Sequence, residues 1–158
     1  MLRPMAIALL GALFVASTYA TEAVAATDAV AGTWKLDVAK SKFSGAAPKS
    51  GMRVYTAGAD GTTLDQKMTG ADGKETSMHV TIKMDGKDSP VTGNPDADTV
   101  AGKAIDDRTS HFTLKKGGKE VGTVHRVVSA DGKTLTVNNK GTHADGKAYD
   151  DTLVFDRQ

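Results

Sequence analysis

Five Asp-Gly dipeptides punctuate the chain, at Asp60-Gly61, Asp72-Gly73, Asp85-Gly86, Asp131-Gly132 and Asp145-Gly146, and Lys follows in the last four. Between runs that alternate apolar and polar residues, Asp-Gly marks a β-hairpin, because both residues tolerate the positive φ that a tight reversal needs. Gly117-Gly118 supplies one more reversal. A chain that turns back at such short intervals has room for strands and little for helices. It reads as an antiparallel meander of roughly nine or ten strands, close to the number that closes a small barrel around a filled core or one small ligand.

Register then decides which side chains face inward, since a slip of one residue turns a strand's whole apolar set over. Three-residue Ala-Asp-Gly loops with a left-handed, bulged glycine pair Gly58 with Thr62, Gly70 with Lys74, Ser129 with Lys133 and His143 with Lys147. In the first half this puts Met52, Val54, Leu64, Gln66, Met68, Met78, Val80 and Ile82 on one face, with Arg53 and Tyr55 on the other. In the second half, a two-residue turn at Gly117-Gly118 collects Phe112, Leu114, Val121, Val127, Leu135, Val137, Leu153 and Phe155, and sends Arg126 to the opposite face. The same register aligns Ser110 with His125, and Thr123 with Asn139 and Asp151, with Tyr149 on the inward side.

Inward polar groups need a reason, because a buried one without a partner costs ~1–3 kcal/mol. They pair with each other, bind water or face a wet cavity; otherwise they sit at the open rim and meet solvent. Ser110, His125 and Asp151 invite a catalytic-triad reading. A triad needs hydrogen-bond contact, whereas this register holds Asp151 more than ~10 Å from His125. No Gly-x-Ser-x-Gly occurs either, and the chain is read as non-enzymatic. The four histidines, His79, His111, His125 and His143, follow no metal-ligand spacing, and there is no cysteine to supply a thiolate. No metal and no cofactor is expected.

Residues 1–26 read as a secretory signal peptide: Arg3, an apolar run from Ala6 to Ala16 broken only by Gly11, then small residues at Ala20 and Ala25-Ala26. The apolar run is shorter than the ~20 residues of a membrane span, so no membrane anchor is expected and the protein is placed in the periplasm or outside the cell. Residues 27–158 form one domain. A net charge of +1 with Lys and Asp interspersed is a poor match to nucleic acid or to an anionic membrane surface. One stretch interrupts the meander. Lys87 to Asp98 contains Pro90 and Pro95 and reads as an edge strand or a rim loop.

Gly32-x-Trp34 on the first strand, with Lys40-Ser41-Lys42-Phe43 behind it, resembles the lipocalin entry motif. With the meander, the chain is similar to the small lipocalin-like, calycin-type barrels of exported bacterial proteins. The resemblance implies that Trp34 plugs the closed end beneath a cavity for a small hydrophobic molecule. It also implies an arginine packed over that ring, here Arg126 or Arg157. No Thr-Asp-Tyr motif is present, and the strand count is nearer to the ten-stranded fatty-acid-binding relatives.

The expectation is therefore an all-β, antiparallel, lipocalin/fatty-acid-binding-like barrel that binds a small, mostly apolar molecule as a monomer. Met52, Met68, Met78, Ile82, Phe112 and Leu153 would line the apolar part, and His125, Asn139, Tyr149 and Asp151 would orient a polar end. Trp34 is read as structural. The alternative is a protein-interaction or inhibitor module that works through rim loops around a filled barrel. Interior volume separates the two, because a ligand needs a cavity of a few hundred Å³.

Overall fold

The structure is a computed structural model that describes residues 28–158; the expected leader lies outside the described residues. Ten strands follow one another: β1 (Gly32–Lys42), β2 (Ser50–Gly58), β3 (Gly61–Thr69), β4 (Glu75–Ile82), β5 (Asp85–Thr92), β6 (Thr99–Ala104), β7 (Thr109–Lys116), β8 (Lys119–Val128), β9 (Thr134–Thr142) and β10 (Ala148–Arg157). Each pairs antiparallel with its sequence neighbour, and β1 pairs with β10 to close the barrel. Closure leaves no unpaired edge. The all-β meander expected from the turns is what forms.

The turn chemistry repeats. In each Asp-Gly-Lys triplet the Asp carboxylate accepts the backbone N–H of the Lys two residues on, at 3.0 Å for Asp72, Asp85, Asp131 and Asp145. This side chain mimics the carbonyl that would otherwise close the turn. Three of the four sit at hairpin tips, with a left-handed Gly73, Gly132 and Gly146. Asp85-Gly86 does not. The chain reverses at Lys83-Met84, and the dipeptide lies at the start of β5, where the pairing with β6 shifts register. Nor is the proline-bearing stretch an edge strand. β5 is paired on both sides, lightly to β4 through His79–Thr92 and Val80–Val91, and Gly93 to Asp98 forms a rim loop.

The expected register holds between β3 and β4, and between β9 and β10, where Gln66 faces Met78 and Asn139 faces Asp151. It fails for two strands. Gly58 pairs with Gly61 through the two-residue tip Ala59-Asp60. That turns β2 over, so Arg53 and Tyr55 point in while Met52 and Val54 are exposed. In β8 an extra residue, Val121, enters the ladder where Leu114 pairs with Gly122 but Lys115 with Glu120. At its other end Ser129 pairs one residue later than expected, because its hydroxyl accepts the Thr134 N–H at 2.9 Å. β8 is therefore turned over relative to both neighbours. Arg126 takes the inward place opposite Ser110, and His125 is outside, facing His111.

The packed core sits at the end where β1 begins and β10 finishes. Trp34 and Phe155 are fully buried there, beside Val30 and Leu135. The Trp34 indole N–H donates to the Val30 carbonyl at 2.7 Å. The Arg157 guanidinium lies 4.1 Å from the indole ring. Its three nitrogens donate to the carbonyls of Gly132, Ala31 and Ala29. Of the two arginines considered for this place, Arg157 occupies it.

Two outcomes follow from this frame. Trp34→Ala is expected to cost about 3–5 kcal/mol in urea unfolding. Val54→Thr should stay within about 0.5 kcal/mol of the parent and Tyr55→Thr should lose several-fold more, an order that the opposite register of β2 would reverse.

Candidate functional site

Above the Trp34 plug the barrel is hollow. A cavity of about 230 Å³ runs up to the rim loops Gly93 to Asp98 and His143 to Lys147. Its walls are apolar: Leu64, Met78, Val80 and Ile82 from β3 and β4, Val91 and Val100 from β5 and β6, and Phe112, Leu114, Val124 and Val137 from β7 to β9. Two polar groups of opposite character interrupt them.

The first is cationic and lies inside. Arg53 is 7% exposed and Arg126 5%. Arg53 Nε donates to Gln66 Oε1 at 2.7 Å and one terminal nitrogen reaches the Tyr55 hydroxyl at 3.3 Å; its guanidinium lies 4.7 Å from the Phe155 ring. Arg126 donates to Ser110 Oγ at 3.0 Å and packs between the rings of Phe112 and Tyr55, at 4.9 and 5.1 Å. Aromatic faces stabilise a desolvated guanidinium by ~2 kcal/mol. Neither arginine forms an ion pair with a carboxylate among the described residues. A guanidinium has five N–H donors, and these hydrogen bonds use two on Arg53 and one on Arg126. Among the described residues no buried side-chain nitrogen is left without a partner, so the remaining donors keep some accessibility, and both arginines line the hollow. Arg126 also borders a second, open depression of about 610 Å³ at the closed end, lined by Met84 and Ile105 and by Asp28, Asp106 and Asp107, none of which forms an ion pair with it.

The second group is acidic and sits at the mouth. Asp96 accepts from His143 Nδ1 and from the Ala144 N–H, both at 2.8 Å, and so ties the β5–β6 loop to the β9–β10 hairpin. Asp151 Oδ1 accepts the Ser44 N–H and hydroxyl at 2.6 Å, which anchors the β1–β2 connection. Tyr149 lies between them, its ring 4.6 Å from that of His143. Gly141 is its cross-strand partner and Gly122 pairs with Gly141. A Cβ at either glycine would meet the Tyr149 hydroxyl at 2.7 Å, so two glycines make the floor on which this ring rests. Burial, and then the negative charges of Asp96 and Asp151, raise the Tyr149 pKa above the ordinary tyrosine range.

Of the residues expected to line a ligand, Met78, Ile82, Phe112, Asn139, Tyr149 and Asp151 border the cavity. Met68 and Leu153 point inward but are packed in the wall. Met52 and His125 are corrections: both lie on the outer surface, because β2 and β8 are turned over. The same two reversals hid the inward Arg53, Tyr55 and Arg126. Asp96, His143 and Asn94 come from loops, where alternation carries no orientation.

No family model matches the chain, and no curated protein matches it in sequence. Two solved structures are similar in shape. The zebrafish ileal bile acid-binding protein complexed with cholic acid aligns with 82% of this chain and 99% of its own at 9% identity, with a TM-score of 0.46. The siderocalin Ex-FABP, described as functioning through dual ligand specificities, aligns with 82% of this chain and 74% of its own at 11% identity, with a TM-score of 0.39. The barrel assignment rests on the strand pairing above.

The mouth makes a pH prediction. The native chain holds the Tyr149 proton more tightly than the unfolded chain does, so the contribution is intact below the ordinary tyrosine range. It is lost as pH rises through the raised native value. Phenolate absorbance should show a late transition that is missing from Tyr149→Phe and moves to lower pH in Asp151→Asn.

Proposed function

We propose that the protein binds and carries a small, mostly apolar molecule in the barrel, held by an anionic head against Arg53 and Arg126, as a periplasmic or secreted binding protein. One observation carries this reading: two buried guanidiniums face a hollow with no carboxylate partner. Burying an unpaired charge costs several kcal/mol even after relaxation, and aromatic faces offset only part of that. A carboxylate, sulfonate or phosphate in the hollow would supply the missing counter-charge through charge-assisted, bidentate hydrogen bonds. The apolar walls would bury the remainder of the molecule. At about 230 Å³ the cavity falls just below the ~300–1,000 Å³ of typical small-molecule sites, which favours a compact ligand. A hollow interior also weighs against the rim-loop module, which calls for a filled barrel.

Native mass spectrometry of protein purified from an exporting host, followed by denaturing extraction, tests the reading. A stoichiometric adduct that yields an amphipathic acid is the expected result. In displacement of an anionic fluorescent probe such as anilinonaphthalene sulfonate, Arg126→Met and Arg53→Met should each weaken binding by about 10–100-fold. Both should leave unfolding stability unchanged or higher, because the ligand-free protein no longer buries a lone charge. A clean apo mass, with no binding across carboxylates, sulfonates and phosphates, would overturn the proposal.

A further inference from the structure

We infer that the ligand has a second polar end, a hydrogen-bond donor such as a hydroxyl or an ammonium, that lies in the mouth against Asp151 and Tyr149. This rests on the reading that an anionic head occupies the arginines.

The mouth is built to accept hydrogen bonds. Asp151 uses Oδ1 for Ser44 and leaves Oδ2 without a partner among the described residues. Asn139, directly across the ladder from Asp151, borders the cavity, and its side-chain amide makes no hydrogen bond among the described residues. Tyr149, which also borders the cavity, is 8% exposed, and its hydroxyl has no partner among the described residues. A side chain so nearly buried, on a floor of two glycines, would ordinarily have its hydroxyl satisfied. Its polar tip is instead available to whatever fills the hollow. Asp96 adds negative charge near Tyr149, and the His143 ring beside it is already engaged by Asp96.

The hollow is therefore polarised along its axis. Its inner part carries two unpaired cations, its middle is apolar and its mouth carries two carboxylates. A plain fatty acid would satisfy the inner end and leave the mouth groups to compete with water. A dicarboxylate would place like charge beside Asp151. The complementary molecule carries its acid at one end and its donor at the other. The spacing suits a medium-length chain. Leu153 lies level with Arg126 through Val137, and Asp151 and Tyr149 stand two and four residues from it on the same face of β10, about 7 and 14 Å along the strand.

Calorimetric titration of the ligand-free full domain with decanoate, ω-hydroxydecanoate, ω-aminodecanoate and decanedioate tests the inference. At least one of the two donor-bearing acids should bind about tenfold more tightly than decanoate, and decanedioate should bind more weakly than decanoate. The hydroxy and amino arms separate a neutral donor from a cationic one. In Asp151→Asn, which keeps an oxygen for Ser44, the ratio of ω-amino to decanoate affinity should collapse and decanedioate should recover. Tyr149→Phe removes only the hydroxyl and should reduce the ω-hydroxy ratio. Decanoate binding with no advantage for either donor-bearing acid would overturn this inference and leave the anionic-head reading standing. Failure of all four to bind would overturn both.

Discussion

The contact on which the barrel depends is the Arg157 guanidinium stacked on Trp34. It draws together at one point the first strand, the last strand, the segment before β1 and the β8–β9 loop. Every nitrogen of that half-buried guanidinium has a carbonyl, and its face has an indole, so each nitrogen of the charged group has a partner. The end of the barrel that must close is closed by a group each of whose nitrogens has a backbone partner. The strands above it are free to splay around a hollow without exposing the core.

Arg53 and Arg126 show the same chemistry left unfinished. Each lies against aromatic faces, as Arg157 does, and each has a neutral side-chain partner. Neither has a set of carbonyls or a carboxylate. The contrast within one molecule separates an arginine that closes the barrel from two that face its hollow. With Asp96 and Asp151 at the rim, the interior has a direction, from cations without a carboxylate partner below to carboxylates above, through an apolar middle. A solid core would have no use for such an arrangement, because nothing inside it would offset the desolvation of either end.

The pattern of legibility follows from strand composition. β9 reads Thr-Leu-Thr-Val and β10 reads Thr-Leu-Val-Phe, and in each the larger apolar residues fall on one parity. Together with β3 and β4 they were oriented correctly from alternation, and the inward positions of Met78, Asn139, Tyr149 and Asp151 followed. β2 and β8 carry apolar residues on both parities: Met52 and Val54 against Tyr55, and Val127 against Val124 and Val128. Burial alone then favours hiding the aliphatic set and exposing the arginine. What overrode it was local closure: a two-residue tip at Ala59-Asp60, one extra residue at Val121, and a serine hydroxyl standing in for a carbonyl at Ser129. Each moves a ladder by one residue, and one residue suffices to exchange the two faces.

The sequence by itself therefore determined the architecture. Repeated Asp-Gly reversals and period-two alternation admit little besides an antiparallel meander, and a long meander with an apolar face closes on itself to bury its edges. It also marked Trp34 as the residue about which one end would pack. Only the tertiary structure decided which side chains line the interior. The faces of two strands depend on how neighbouring turns close, and the mouth is assembled from loops where alternation carries no information. Whether the inside of this barrel is aliphatic or holds two lone guanidiniums came down to single-residue shifts set where the adjoining turns close.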